Sequence, residues 1–512
     1  MFKEMFRSIV RRGSVCAVTR RFILSGPGLI VLSVLLAGCT TVGPDYVPPE
    51  VSAPAQWTAE LNNGLMTKDA DLEALAHWWS TLDDPMLTGL VERAVENNLD
   101  LRQAKARVRE ARARRGISKA ALFPTVDAGA SARTSRSSKE TGSGEERQLY
   151  AAGFDAAWEL DVFGGKRRAV EAADAQLQAS EEDLRDVLVT LTAEVALNYV
   201  EVRSFQARLS VEEANLAAQT ETYNITQWRY QAGLTTELDV EQARYNLAQT
   251  RAAIPSLQTG LQQAKNRLAV LLGQPPGSLE DALGARKPIP VTPLEVAVGV
   301  PADALRRRPD VRRAERQLAA QTAEVGVATA DLYPKFSLSG SIGVEALSLD
   351  NLFSADSRTH SGSALFSWPI FDAGAIRRNI EVQSSLQEQA LCQYEAAVLT
   401  ALEEVENAIV AYAKEQQRRA SLAEGARAAQ NAVDLAQTQY ASGLIDFNNV
   451  LIAQRSLLSL EEQLAVSEGQ VTANLISLYK ALGGGWTALA AENAKQQPSQ
   501  RSQSSSKTKT AD

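Results

Sequence analysis

The sequence has few of the residues that build disulfide frameworks and metal sites. Only three of its 512 residues are cysteine and two are histidine. Cys16 lies in a segment that we expect to be removed, and Cys39 and Cys392 are far apart, so no disulfide framework is indicated. Neither His77 nor His360 has a Cys or His neighbour at metal-ligand spacing, which argues against a zinc site. We therefore expect no metal and no other cofactor.

The chain also lacks the signals of nucleic-acid binding and of catalysis. Its formal net charge is −8, whereas nucleic-acid binding requires a basic surface. The sequence contains no nucleophile elbow, no Gly-rich phosphate loop and no cluster of metal ligands. We therefore expect neither an enzyme nor a nucleic-acid partner. Beyond the N-terminus no stretch reaches about 18 uncharged apolar residues, so any membrane crossing there must use β-strands.

The N-terminus has the pattern of a bacterial lipoprotein signal. Basic residues precede an apolar stretch at residues 22–37, which is too short and too interrupted by glycine and proline to span a membrane. The tetrapeptide Leu-Ala-Gly-Cys at residues 36–39 resembles a lipobox, in which Cys39 becomes the lipid-modified first residue. Thr40, rather than Asp, follows it, which implies sorting to the outer membrane. The alternative is an ordinary signal peptide with an incidental cysteine.

The strongest internal signal is a repeat with a period of 210 residues. Leu122-Phe123-Pro124 recurs as Leu332-Tyr333-Pro334. Further pairs keep the same offset: Trp158 and Trp368, Gly164 and Gly374, Arg168 and Arg378, Gly233 and Gly443, Gly273 and Gly483. Chance matches would not hold one register over roughly 150 residues, so we predict two copies of one structural unit.

Each copy opens with a helix, predicted at about 87–122 and 302–332, which Pro124 or Pro334 stops. Segments follow in which apolar and polar residues alternate, and a period of two is the signature of strands. The strands are predicted at about the following residues: 125–134, 150–160, 336–345 and 361–370.

A long helical hairpin follows the strands in each copy. The first helix begins near Gly165 or Ala375 and continues without proline to Gly233 or Gly443. Residues 165–230 would span roughly 98 Å at about 1.5 Å per residue, and their apolar positions follow the steps of three and four of a coiled coil. The returning helices are predicted at 236–272, with a kink at Pro255, and at 447–482.

The strands predict an assembly of three chains. Each strand is about ten residues long, which suits a tilted membrane crossing, and has one apolar and one polar face. Four strands cannot close into a barrel, and open edges cannot face lipid because every unpaired backbone group costs several kcal/mol. Three chains would give twelve strands and a pore, whereas two would give a lumen filled with side chains. The alternative is a soluble sandwich, for which no second strand-rich region is present.

Several segments carry a resemblance to a known family. They are Val42-Gly43-Pro44-Asp45-Tyr46 after Cys39, the segment 78–87, and Asn98-Leu99-Asp100-Leu101 before an Ala/Arg-rich helix. With the tandem repeats, they resemble the TolC-like outer-membrane efflux protein family, lipoprotein (NodT-like) branch, over nearly the whole mature chain.

The resemblance implies a mainly α fold with a β-barrel part. A homotrimer would form a 12-stranded barrel in outer-membrane lipid, continued by an α-helical tunnel in the periplasm. It further implies a passive exit duct for small molecules such as drugs or toxic compounds. A periplasmic adaptor protein and an inner-membrane pump are the implied partners. Two alternatives remain open: a duct for protein secretion, and a structural coiled-coil lipoprotein of the envelope.

The turns between the long helices are the candidate adaptor-docking tips. Each places a leucine after the turn glycine on an otherwise polar turn; the alternative is that these residues only reverse the chain. The tip residues are Gly233, Leu234, Gly443 and Leu444. In the family, acidic residues often ring the closed end of the tunnel at positions that are Asn449 and Ile452 here. The candidate replacement charges, which could equally be idle, are Glu237, Asp239 and Asp446.

These observations divide the chain into six predicted segments. They are a lipoprotein signal peptide at 1–38, an N-terminal tether and lead-in segment at 39–84, a first repeat at 85–273, a linker at 274–300, a second repeat at 301–484, and a C-terminal tail at 485–512 that is expected to be disordered from about 496.

Overall fold

Helices form most of the computed structural model, which describes residues 41–50, 53–67, 72–290, 293 and 296–486. The helices are α1 (Leu72–Ala76), α2 (Pro85–Asn97), α3 (Leu99–Ala120), α4 (Gly165–Gln231), α5 (Glu237–Leu271), α6 (Pro301–Arg307), α7 (Pro309–Ala330), α8 (Ala375–Ala441) and α9 (Phe447–Ala481). The strands are β1 (Leu65–Met66), β2 (Thr125–Arg136), β3 (Glu146–Leu160), β4 (Val296–Ala297), β5 (Lys335–Ala346) and β6 (Arg358–Ser367). The predicted signal segment, Cys39 and the tail from 487 lie outside the described residues.

The chain forms two compact units. Unit 1 contains residues 122–168 and 326–376 with the described residues before 44, and it holds the four long strands. Unit 2 contains residues 44–121, 169–325 and 377 onward, and it holds most of the helical residues. A short parallel pair, β1 with β4, also belongs to unit 2.

The sheet of unit 1 is antiparallel throughout, in the order β2-β3-β5-β6. The strand register places apolar residues opposite apolar ones and polar residues opposite polar ones. For example, Phe154 lies opposite Ile342, and the neighbouring Asp155 lies opposite Ser341. The alternation predicted from the sequence therefore produces one apolar and one polar face. No residue of these four strands is buried. This exposure disfavours a sandwich, whose inner faces would be covered.

Two strands depart most from the predicted bounds. β6 spans Arg358–Ser367 rather than 361–370. It ends early because Pro369, which has no N–H, also restricts the backbone of Trp368, and it begins early because the hairpin continues to the pair Val344 and Arg358. β3 begins at Glu146 rather than at residue 150, because the hairpin continues to the pair Arg136 and Glu146.

The repeat of the sequence is also a repeat of contacts in unit 1. The indole N–H of Trp158 donates to the carbonyl of Leu122 at 3.0 Å. At the equivalent positions 210 residues later, Trp368 donates to the carbonyl of Leu332, also at 3.0 Å. Each tryptophan thus ties the end of a strand to the segment that precedes the first strand of its copy.

The leading helix of each copy is broken, which corrects the prediction of one continuous helix. Asn98 separates α2 from α3 in an extended conformation and caps α3, where its side chain accepts from the N–H of Leu101 at 2.9 Å. Arg308 separates α6 from α7, and its extended backbone is what a residue before proline prefers. The two breaks are 210 residues apart.

Asn98 and Arg308, the residues at the two helix breaks, make equivalent hydrogen bonds in unit 2. Asn98 Nδ2 donates to the carbonyl of Leu271 at 2.9 Å, and Arg308 Nη1 donates to the carbonyl of Ala481 at 2.9 Å. Leu271 and Ala481 are the last residues of α5 and α9, where helix carbonyls have no partner within the helix. Each break therefore fastens the returning helix of its own copy.

Buried Arg308 additionally forms two ion pairs. Its Nη2 lies 2.6 Å from Asp310 Oδ2 and 2.6 Å from Glu404 Oε2. Burial acts to raise the pKa of Asp310, but the hydrogen bond and charge of Arg308 together hold that pKa below its ordinary value. The arginine thus links α7, α8 and α9.

The main core of unit 2 gathers the middle of the long helices around the lead-in segment. Trp78 is fully buried and stacks on Tyr479 with ring centroids 5.5 Å apart. The predicted coiled-coil positions are largely buried; examples are Leu188, Val195, Val202, Val405, Ile409 and Tyr412. α5 continues through Pro255 as one helix.

Arg308→Ala is expected to lower the free energy of unfolding by about 3 kcal/mol, because it leaves half-buried Asp310 and the Ala481 carbonyl without their partner. Circular dichroism at 222 nm during denaturation measures the change. Arg306→Ala is the matched control: Arg306 lies two residues away on the surface and, among the described residues, forms an ion pair with Asp303 alone, so a loss below about 1 kcal/mol is expected. Equal losses in both variants would contradict the role of Arg308.

Candidate functional site

The first helix-hairpin turn has the hydrogen bonds of a Schellman motif. The N–H of Gly233 donates to the carbonyl of Tyr230 at 2.9 Å, and the N–H of Leu234 donates to that of Arg229 at 2.8 Å. Gly233 has a φ of +71°, which disfavours any other residue. The second turn repeats both bonds, from Gly443 to Tyr440 at 3.0 Å and from Leu444 to Gln439 at 2.9 Å.

The two turn leucines are exposed. A Schellman motif commonly packs an apolar side chain at this position against its own helix. Leu234 and Leu444 instead keep 67% and 74% of their surface accessible. The local motif therefore accounts for the glycines but not for the choice of leucine.

The three candidate tip charges have different surroundings. Asp239 forms a capping box with Thr236, and its carboxylate also accepts from the Thr235 hydroxyl at 2.5 Å. Burial acts to raise the pKa of Asp239, but the threonine hydrogen bonds hold it below its ordinary value. Its carboxylate is therefore engaged in starting α5. Glu237 is exposed, and so is Asp446, which precedes α9 without a side-chain capping bond.

An aromatic cluster near the turns has no counterpart in the sequence-based predictions. The guanidinium of Arg229 lies 4.4 Å from the ring centroid of Tyr440, and the Tyr440 and Phe447 centroids are 5.3 Å apart. These residues line part of a cavity of about 300 Å³ between α4, α8 and α9. Trp228 is 65% exposed on the adjoining part of α4. In the sequence, this cluster was signalled by aromatic residues at helix ends that are otherwise polar.

A polar contact between α5 and α9 also joins the two helical hairpins, about two to three helical turns from the start of each helix. Arg455 of α9 donates to Asn246 Oδ1 of α5, from Nη2 at 2.6 Å and from Nε at 2.8 Å, and it contacts the hydroxyl of Tyr245. This pairing connects residues from different copies of the repeat. The sequence did not indicate it, because nothing in the local pattern brings residues 209 positions apart together.

In unit 1, Arg168 holds the segment that follows the lipid-attachment candidate Cys39. Arg168 is buried, and its guanidinium donates to the carbonyls of Val42 at 3.0 Å and Gly43 at 3.2 Å. A side chain at Gly43 would collide with Gly326, because an added Cβ would lie 2.4 Å from its Cα. This clamp fixes the chain within a few residues of Cys39, which itself lies outside the described residues.

Two features are absent from the residues that the structure describes. None of their helices is long and apolar enough to cross a membrane. Nor do they hold a group of three or more His, Cys, Asp or Glu side chains that could bind a metal ion.

Comparison with known proteins assigns the family. A sequence profile of the outer membrane efflux protein family matches residues 90–274 and 300–484, two segments that are themselves 210 positions apart. Nodulation protein T of Rhizobium leguminosarum bv. trifolii is 33% identical over 467 residues, which cover 90% of this chain and 97% of that protein. The solvent efflux pump outer membrane protein SrpC of Pseudomonas putida is 34% identical over 461 residues, covering 88% and 97%.

The same relationship holds among solved structures. The outer-membrane channel OprN superposes with a TM-score of 0.83 at 39% identity, covering 87% of this chain and 99% of that chain. The resemblance to TolC-like efflux proteins is thereby confirmed. The chain belongs to the outer membrane efflux protein family.

Proposed function

We propose that three copies of this chain form the outer-membrane channel of an efflux pump, a passive duct through which small molecules leave the cell. The sheet of unit 1 carries the proposal, because β2 and β6 are exposed throughout, β3 and β5 contain no buried residue, and the sheet pairs with no further strand among the described residues. The outer strands β2 and β6 therefore present rows of free N–H and C=O groups. In hydrocarbon these groups need strands from other copies.

Closure by three copies fits the two faces of the sheet. The face with Phe154, Trp158 and Ile342 meets lipid, and the face with Asp155 and Ser341 lines a wet lumen. Relatives named as solvent, toluene and antibiotic efflux pump proteins support small molecules over secreted proteins as cargo. Transport through such a duct needs no chemistry from the chain, and the energy comes from the inner-membrane pump.

The N-terminus supplies a second membrane attachment in this proposal. Cys39 carries the acyl chains, and the Arg168 clamp holds the following residues against unit 1. The anchor adds to the barrel rather than replacing it, since one or two acyl chains bind far less firmly than a spanning structure.

The turns of the two hairpins dock the adaptor. Exposed Leu234 and Leu444 offer apolar contacts on polar turns, and Trp228 enlarges the apolar surface of the first turn. Exposed apolar groups of this kind mark sites that another protein covers.

The purified chain in mild detergent is expected to have the mass of a trimer. Light scattering, corrected for bound detergent, measures this mass, and channel conductance in planar bilayers checks that the sample is native. One copy has too few strands to close, and two copies would leave a lumen filled with side chains, so a conducting monomer or dimer would contradict the proposal.

Cys39→Ser is expected to abolish metabolic labelling with palmitate while leaving much of the efflux intact, because the barrel still holds the protein in the membrane. Cys392→Ser is the control and should keep full labelling. Palmitate that remains on the Cys39→Ser variant would rule out this attachment site.

Leu234→Asp combined with Leu444→Asp should abolish efflux without changing the trimer or its surface level, because docking would then bury unpaired charges. Drug accumulation in cells and crosslinking to the adaptor measure the loss. Val270→Asp places the same charge on an exposed apolar position near the far end of α5 and should be neutral. Normal efflux with normal crosslinking in the double variant would contradict adaptor docking and show that the turns only reverse the chain.

A further inference from the structure

The apolar face of the sheet in unit 1 carries two basic side chains near one end. In the strand register Arg358 lies opposite Val344 and His360 lies opposite Ile342, so both belong to that face. Both side chains are exposed. The acidic residues of the described strands lie on the polar face, with the exception of Glu146 at the first position of β3. Those on the polar face are Asp127, Asp155, Glu159 and Glu345.

A groove runs along the apolar face beside Arg358. Its volume is about 590 Å³, and its apolar lining includes Phe154, Ile342, Val344 and Phe353. Phe353 belongs to the connection between β5 and β6 and keeps 82% of its surface accessible. Hydrogen bonds within this connection hold its shape, since the Ser357 hydroxyl donates to the carbonyl of Asn351 at 2.6 Å, and the neighbouring Leu352 is buried. Phe353 therefore forms an apolar wall next to the guanidinium.

The first copy of the repeat lacks this combination of residues. The positions 210 residues before Phe353, Arg358 and His360 hold Ser143, Gln148 and Tyr150. Gln148 and Tyr150 are uncharged and bond to each other, with the Tyr150 hydroxyl donating to Gln148 Oε1 at 3.1 Å. The strand architecture thus does not require basic residues at these positions. Their presence in the second copy indicates a ligand of opposite charge.

The level of Arg358 along the strands suits the border of a membrane. In the proposed function the helices extend into the periplasm, so the connection 347–357, at the opposite end of the strands, faces the cell exterior. Val344, opposite Arg358, lies eight residues along β5 from Phe336, which is about 26 Å of strand and about 20 Å of depth at a tilt of about 40°. The apolar band of such barrels is about 25 Å tall. Phe336 and Phe366, with ring centroids 5.3 Å apart, suit its periplasmic border, and Arg358 lies near its outer border.

We infer that Arg358, His360 and the groove bind a phosphate-bearing lipid of the outer leaflet. This inference rests on the proposed function, which places the apolar face in the membrane. The Arg358 guanidinium donates two hydrogen bonds to the phosphate, a geometry that arginine favours. His360, two residues deeper along β6, donates an imidazole N–H to the carbonyl where an acyl chain begins. The chain then lies over Phe154 and Ile342, with Phe353 at its side.

A ligand with both a phosphate and acyl chains matches the two parts of this site. An acyl chain alone would leave the guanidinium at the membrane border without a counter-charge. A free anion would leave the apolar groove unused. Because this face meets hydrocarbon in the proposed function, a lipid reaches the site by diffusing within the leaflet.

Purified lipid A, the phosphorylated acyl anchor of the outer-leaflet glycolipid, is the probe. Native mass spectrometry of the full-length protein in mild detergent measures both the mass of the assembly and the lipid that it retains. The unmodified protein should bind one lipid A per copy. Lipid A from which the phosphates have been removed should bind about tenfold more weakly, because the charge-assisted hydrogen bonds are lost.

A triple variant gives the second copy the residues of the first: Phe353→Ser, Arg358→Gln and His360→Tyr. It should bind lipid A about tenfold more weakly while keeping its trimeric mass and its conductance, because the equivalent positions of the first copy already carry these residues. Arg133→Gln is the matched control. Exposed Arg133 lies opposite Leu149 on the polar face, so this variant removes the same charge from the other side of the sheet and should bind lipid A normally.

The outcomes separate this inference from the proposed function. A trimer that binds lipid A equally well in the unmodified protein and the triple variant overturns the lipid site and leaves the channel standing. Equal binding of lipid A with and without phosphates by the unmodified protein does the same, and this comparison holds even if the triple variant does not assemble. A monomeric mass of the unmodified protein overturns the proposed function, and the lipid site with it.

Discussion

The unpaired backbone groups of the outer strands in unit 1 are the main physical constraint on this molecule. β2 and β6 expose backbone donors and acceptors that no other strand of the described chain satisfies. Water can satisfy such groups, but hydrocarbon cannot. In the proposed function, the four-stranded sheet with its apolar face is a segment of a larger closed surface that further copies of the chain complete. Family membership and the exposed strand faces both agree with this reading.

The duplicated sequence is matched by duplicated contacts in the structure. The two copies share contacts down to single hydrogen bonds, as with Trp158 and Trp368. The copies differ in which surfaces are covered: Val189 of α4 is 4% exposed, whereas Leu399, at the equivalent position of α8, is 67% exposed.

Much of the candidate site could be predicted because turns depend on local chemistry. Gly233 and Gly443 were predicted from their position after long apolar periodicity, and their positive φ values follow from the same local rule. Asp239 was treated as a free charge, although the spacing of Thr236 and Asp239 already indicated a capping box. The cluster of Arg229, Tyr440 and Phe447 was missed, since its members come from different helices.

The sequence by itself determined the repeat, the strand faces, the long helices and the turns between them, because periodicity and turn residues act within a few positions of the chain. Only the tertiary structure decided the break at Asn98 and the junction at Arg308. Asn98 interrupts a helix that its neighbours would continue, and its side chain donates a hydrogen bond to the carbonyl of Leu271, 173 residues away. Contacts at such separations leave no local pattern in the sequence, so only the folded chain shows which residues they join.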